Sequence, residues 1–501
     1  MELSAAAGPS LCLFILLCVM SSPDMVNASR FGLCYGQMAD NLPAPQTVAQ
    51  LLAKDSITKV RIYNYNASVL QAFAGTNIEL IVTIPNEELP NFQAEQPADE
   101  WVNNILVPAL QSVKITVVSI GVEVPILHPE FTSMVLPAMQ NIHTGITKAN
   151  LADKIRVSTA HSMAILKSSF PPSSGAFNDS LATSFVGPIL DFLKATGSFY
   201  MVNAYPFHAY MSEMDNVALD YALFQPKDVV VDPGTNLSYS GLLLAQVDAV
   251  YFAMEALGHS ELSIMVSETG WPRAGDSDES VANVQNAAIY NNNLLMLVEN
   301  NTGTPHRTGH PLDVYIFSIF DEDMKTGKSS ERHWGVFDTS ENSFYYLDLN
   351  GSDEGSQQRL NGTGSTWCVA LPSASNKSLE AGLDFACGKG NADCGPIQQG
   401  QPCYLPNTYV NHASYAYNSY YQNSGDNTAA CDFGGTATIT TQDPSYGSCI
   451  FKADSVPSGG GSGSGVGGCC TNGSSSSWRI TPSNDLGRWL FLLSVVVCLL
   501  L

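Results

Sequence analysis

The sequence predicts a (β/α)8 (TIM) barrel followed by a small disulfide-rich domain. Three observations carry that expectation. Eight strand-like apolar runs alternate with segments of helical spacing across residues 29–348. No Gly-rich phosphate loop follows the first run, which disfavours the alternative, a doubly wound open sheet. Beyond a Gly/Ser/Asn-rich break, six cysteines fall within a short C-terminal region.

From the start of the chain, Leu11–Met20 is a ten-residue apolar run followed by small residues. It is too short to span a bilayer and fits a signal-peptide core over residues 1–28, with cleavage after Ala28. Export agrees with the composition. The formal net charge of −24 argues against nucleic acid or an anionic membrane surface as a partner. Charged residues are only 14% of the chain, so the surface leans on Ser, Thr, Asn and Tyr. N-glycosylation sequons occur at Asn66, Asn178, Asn236, Asn300, Asn350, Asn361 and Asn376, with two more at Asn27 and Asn472.

The expected strands are Phe31–Gly36, Lys59–Asn64, Ile78–Pro85, Val117–Val124, Lys154–Ala160, Phe199–Pro206, Ser263–Pro272 and Val314–Glu322. Helical spacing marks Thr47–Lys54, Trp101–Gln111, Met134–Lys148, Gly241–Leu257 and Val281–Asn300. In a barrel of this kind the chemistry sits at the C-terminal ends of the strands. Glu123 closes the fourth run and Glu268 the seventh. A carboxylate at the mouth of a buried strand is costly unless it is hydrogen-bonded or employed, and two such carboxylates suit glycosidic cleavage. Cys34, on the first run, reads as a small buried hydrophobe.

The segments VSETGWP around Glu268, IGVEV around Glu123, the opening FGLCYG, NAYPF at Asn203–Phe207 and FDEDMKTGKSSERHWGVF at Phe320–Phe337 together resemble family 17 of the glycoside hydrolases, the plant glucan endo-1,3-β-glucosidases. The resemblance implies a retaining endo-hydrolase of 1,3-β-glucan, the callose-type wall polysaccharide, with Glu123 as proton donor and Glu268 as nucleophile. Retention needs the two carboxyl groups about 5–5.5 Å apart. It also implies that Glu322, Lys325 and Glu331 form a charged cluster holding Glu123, that Asn203 supports the site, and that Tyr35, Tyr63, Tyr205 and Trp271 offer aromatic faces to glucose rings. Of these four, Tyr63 is ranked last. Two positions depart from the family pattern: Val122 where Asn usually precedes the acid, and Arg273 where a small polar residue usually follows the proline. Val122 motivates the rival reading, a non-hydrolytic or weakly active glucan-binding wall protein. Mixed 1,3-1,4-glucan, which needs the same carboxylate pair, stays open as a substrate. No cofactor and no metal are expected, and the protein is expected to be a monomer.

Residues 349–364 read as a flexible linker. Residues 365–452 hold Cys368, Cys387, Cys394, Cys403, Cys431 and Cys449, a disulfide framework with 15 possible pairings; no CxxC pair supports zinc. WCVA at Trp367–Ala370, ASYAYNSYYQ at Ala413–Gln422, CDFGGTA and DPSYGSC resemble carbohydrate-binding module family 43, a β-1,3-glucan binder. That resemblance implies the pairs Cys368–Cys431, Cys387–Cys394 and Cys403–Cys449, with Tyr415, Tyr417, Tyr420 and Tyr421 as a sugar platform or as core. Residues 453–475 read as a Ser/Gly stalk ending in the unassigned Cys469 and Cys470 and then a small-residue stretch. The terminal run Trp489–Leu501 is thirteen residues, which with its polar spacer is the signature of a glycosylphosphatidylinositol anchor signal. Anchoring is expected at Ser475, with residues 476–501 removed, placing the protein on the outer face of the plasma membrane facing the cell wall; a C-terminal tail anchor is the alternative.

Overall fold

The computed structural model describes residues 30–345, 347, 367–371, 374–424, 428–440, 444–446 and 449–452. The signal-peptide, linker, stalk and anchor expectations, with Asn350, Asn361 and Ser475, lie outside the described residues.

Eight apolar runs form eight parallel strands. They are β1 (Phe31–Tyr35), β2 (Lys59–Ile62), β3 (Glu79–Ile84), β4 (Lys114–Val122), β5 (Arg156–Ser162), β6 (Tyr200–Asn203), β7 (Ile264–Thr269) and β8 (Asp313–Phe317). They close into one barrel in sequence order, with β1 hydrogen-bonded to both β2 and β8. All their connections are crossovers, as parallel pairing requires. The main covering helices are α1 (Pro45–Lys54), α2 (Ala67–Ala72), α3 (Glu95–Trp101), α4 (Thr132–Lys148), α5 (Gly187–Ala195), α6 (Leu242–Ala256) and α7 (Val284–Glu299). Among the described residues no helix is long and apolar enough to cross a membrane.

Several ends differ from the sequence expectation for local reasons. The helix expected over Trp101–Gln111 begins at Glu95 and runs through a wide π turn, Val102–Leu106, into Val107–Ala109. A second π turn, Ala182–Val186, precedes α5. Each is followed by a proline, Pro108 or Pro188, which has no N–H to give the preceding turn; the wider turn absorbs the missing donor without ending the helix. Strand β7 stops at Thr269 because Gly270 passes so close to β8 that a Cβ there would lie 2.5 Å from the Phe317 carbonyl oxygen. Strand β8 ends at Phe317, after which the chain turns back over β1, with the Ile319 N–H donating to the Cys34 carbonyl at 2.9 Å. Cys34 is fully buried and, among the described residues, the one free cysteine; burial and then the nearby Glu268 charge push its thiol up to about 12.

The C-terminal module has its own small core. An antiparallel pair, β9 (Trp367–Ala370) and β10 (Ala437–Thr440), accompanies α8 (Asn376–Cys387) and α9 (Tyr409–Asn423). The three disulfides are Cys368–Cys431, Cys387–Cys394 and Cys403–Cys449, the pairing the resemblance implied. Tyr415, Tyr417 and Tyr421 are buried, Tyr417 stacking on Phe433 at 3.7 Å, so these three fill the core and are not a sugar platform. A domain this small needs large rings merely to close its interior.

Candidate active site

The mouth of the barrel is shaped by two irregularities. The β4–β5 register shifts between Ser119 and Val122, and Gly121 adopts φ 65°. The crowding by Asn86 Oδ1, 2.8 Å from where a Cβ would sit, suits glycine there. Asn86 accepts the Val122 N–H at 2.8 Å and donates to the Val122 carbonyl at 3.0 Å, pinning the strand end through its backbone. Glu123 then leaves the strand in the left-handed region, φ 50°, with its N–H on the Ala160 carbonyl at 2.8 Å. A non-glycine residue held there carries strain of the kind found where a side chain must be aimed. The second irregularity lies in β7, where the register with β6 shifts between Val266 and Glu268.

One polar network joins the two carboxyl groups. Asn203, at the end of β6, donates from Nδ2 to Glu123 Oε1 at 2.8 Å. Its Oδ1 accepts from Ser267 Oγ at 2.8 Å and from Arg61 Nη1 at 3.3 Å, which fixes the orientation of the amide. Arg61 Nη1 also donates to Glu268 Oε1 at 2.8 Å and to the Ser267 carbonyl at 3.0 Å. The Tyr205 hydroxyl donates to Glu268 Oε2 at 2.7 Å. Burial, then the Glu268 charge, hold that hydroxyl well above the usual phenol range, so it keeps its proton. Glu268 is thus a buried carboxylate with a guanidinium on one oxygen and a phenol on the other.

Glu123 has a different environment. Desolvation and, second, the Glu268 charge push its carboxyl up to about 7, against the opposing pull of Asn203 and Arg61. A carboxyl that keeps its proton toward neutral pH is a candidate acid beside a second carboxyl held by a guanidinium and a phenol.

The other expected residues divide. Tyr205 bonds Glu268 directly, while Tyr63 is linked to it through Arg61, whose guanidinium lies 4.8 Å from the Tyr63 ring centroid. Trp271 is fully buried, its indole donating to the Val281 carbonyl at 2.8 Å, and Tyr35 is 1% exposed. These two rings are packing elements, and the stacking role expected of them is corrected. Ranking Tyr63 last of the four is corrected with it. The cluster Glu322, Lys325 and Glu331 does not hold Glu123. Glu322 accepts the Met38 N–H at 2.8 Å and pairs with Lys325 at 2.9 Å; Glu331 lies 3.7 Å from His208. Glu322 lies beside the chain leaving β1 and Glu331 beside the segment after β6, whereas Glu123 stands on β4. Arg61 was missed by the sequence reading. Its signal was a charge in the middle of the apolar run Lys59–Ile62.

Of the sequons, Asn66, Asn236, Asn300 and Asn376 are exposed and Asn178 is half-buried. Among the described residues no group of three or more metal-ligating side chains is present.

A family model described as glycosyl hydrolases family 17 matches residues 31–349. The chain belongs to glycosyl hydrolase family 17. A second model, the X8 domain, matches residues 366–438. The family 17 chain is 42% identical over 484 residues to the Arabidopsis thaliana protein named glucan endo-1,3-beta-glucosidase 13, covering 95% of this chain and 94% of that one. It is 37% identical to the Olea europaea glucan endo-1,3-beta-D-glucosidase, over 90% of this chain and 100% of that one. Among solved structures, CJP38, described as a beta-1,3-glucanase and pollen allergen of Cryptomeria japonica, is 41% identical with a TM-score of 0.61. That match covers 64% of this chain and 99% of CJP38. Within family 17, then, both expected carboxyl groups stand at one barrel mouth and share one network.

Proposed function

We propose that this family 17 protein is a retaining glucan endo-1,3-β-glucosidase in which Glu123 is the acid and Glu268 the nucleophile. The observation that carries the assignment of roles is the asymmetry of the pair. Glu268 accepts from both Arg61 and Tyr205, while Glu123, pushed up to about 7, holds a proton at mildly acidic pH. Glu123 protonates the glycosidic oxygen as Glu268 attacks the anomeric carbon, forming a glycosyl-enzyme. Glu123, now ionised, takes a proton from water as that water displaces Glu268. Arg61 and Tyr205 orient the nucleophile, and Asn203 keeps the acid within the same frame. The choice of 1,3-linked glucan follows from the named relatives and from the module's likeness to a 1,3-glucan binder.

Reducing-end release from laminarin by the purified ectodomain tests this reading, with Glu268→Gln as control. Release above the control supports it; no release sinks it in favour of glucan binding without hydrolysis. Preference for mixed-linkage glucan over laminarin overturns the linkage.

The domain limits, the monomeric state and the location belong to the same proposal. An exported barrel and glucan-binding module, joined by residues 349–364 and held by a lipid at Ser475, would face the wall from the outer side of the plasma membrane. Release by phosphatidylinositol-specific phospholipase supports the anchor, and a mature C-terminal peptide containing Trp489 excludes it.

A further inference from the structure

Arg273 departs from the residue type the family pattern leads one to expect, and its contacts form a clasp. The guanidinium pairs with Asp321 and lies 3.6 Å from the centroid of the Phe344 ring. Its backbone N–H donates to the His333 carbonyl at 2.8 Å. Asp321 in turn accepts the Gly335 N–H on Oδ1 at 2.9 Å and lies 3.1 Å from His333 Nδ1 on Oδ2. The pair therefore grips the residues on either side of Trp334. The Trp334 carbonyl accepts the Ser318 N–H at 3.1 Å, and its ring, 3% exposed, stands edge-on to Tyr205 with centroids 5.0 Å apart. Tyr205 is the donor to Glu268 Oε2.

We propose that Arg273 is a positioning residue for the nucleophile, acting through Asp321, Trp334 and Tyr205. The Arg273–Asp321 pair is partly shielded from solvent, with side chains 18% and 21% exposed, so removing one charge leaves the other poorly solvated and frees the 333–335 segment. Trp334 is the wall against which Tyr205 rests. A small displacement of that wall moves the hydroxyl that orients Glu268, and reaction geometry is sensitive to shifts of this size. Because the chain of contacts ends on the nucleophile, its loss weighs on kcat more than on KM.

The inference rests on the hydrolase reading above, and its test keeps the two apart. Wild type, Arg273→Met and Arg273→Lys of the full ectodomain are compared by laminari-oligosaccharide turnover. Covalent trapping of Glu268 with a fluorinated glucosyl reagent counts the reactive sites. We expect kcat per trapped site to fall about five- to tenfold in Arg273→Met with KM changed less than about twofold. Arg273→Lys, which keeps the charge but not the fork, should recover part of the loss. An unchanged kcat per trapped site overturns the proposal, as does a loss carried entirely by a smaller trapped fraction, which is what a merely structural role would give. Wild type that turns over no laminarin fails the hydrolase reading. In that case the rate of trapping in Arg273→Met against wild type still decides the role of Arg273, an equal rate overturning it.

Discussion

Asn203 touches Glu123 directly and reaches Glu268 through Arg61, so its removal should be read in the pH profile as well as in the rate. Its hydrogen bond favours the ionised form of Glu123 and so opposes the upward push of burial. Without it, the acid holds its proton to higher pH. Asn203→Ala should therefore move the alkaline limb of kcat/KM upward from near pH 7 by about one unit, while lowering the maximum by about tenfold or more. The limbs belong to the coupled pair, so the shift between variants is the quantity to compare. A limb that stays in place or moves down contradicts the network. Val122 gives a second test. Its backbone groups are already taken by Asn86, and its side chain is half-buried. Val122→Asn should raise kcat about tenfold if an added donor reaches the sugar 2-hydroxyl in the transition state. Turnover and melting temperature measured together separate that gain from a packing loss. At this scale the sequence revealed both carboxyl groups, since each ends an apolar run. Arg61 showed only as a charge within a strand run, and its role was not legible, because its partner Glu268 lies 207 positions away and only barrel closure brings them together.

The strand ends do as much as the side chains. Glu268 points into the network because β7 changes register at that point and then halts where Gly270 passes the Phe317 carbonyl. Gly270→Ala would force a Cβ to within 2.5 Å of that oxygen, and backbone cannot yield as a flexible side chain would. The expected outcome is a loss of about 2–3 kcal/mol in chemical denaturation together with a disproportionate fall in kcat, because the displaced element carries Glu268, the proposed nucleophile. Stability within about 0.5 kcal/mol of wild type would show that β8 can retreat. All eight strands were legible from apolar runs, because a parallel barrel buries its strands on both faces, and α1, α4, α6 and α7 from their period; α2 and α5 were not marked. Their ends were less so. Strand β5 extends to Ser162 because Ser162 pairs in register with Asn203, a fact of the neighbouring strand. The charged cluster after β8 was legible as a cluster but given the wrong partner, since its contacts with Met38 after β1 and His208 after β6 leave no periodic trace in the sequence.

Across the whole molecule, the raised Glu123 carboxyl at the barrel mouth sets a pH dependence of stability. The Glu123 carboxyl ordinarily titrates at 4.5 and in the folded protein at about 7, so the folded state binds that proton more tightly. The contribution is full below the unfolded value, declines as pH rises, and is lost above about 7. Its size is at most about 3 kcal/mol, and less because part of the residue reaches solvent. Glu123→Gln should therefore gain on wild type in melting temperature between pH 5 and pH 8; a constant difference across that range would mean the carboxyl is not perturbed. The module has a core of its own, built on buried tyrosines and three cross-links. The closure of the barrel has a consequence in time. Strand β1 has β8 as one neighbour, so it cannot be sealed until residue 317 has been made, 282 positions after β1 ends at residue 35 (317 − 35). At about 5–20 residues per second, synthesis leaves that edge waiting roughly 14 to 56 s. All five of its residues are buried in the finished barrel, and for that interval they must be sheltered by something other than their final partner.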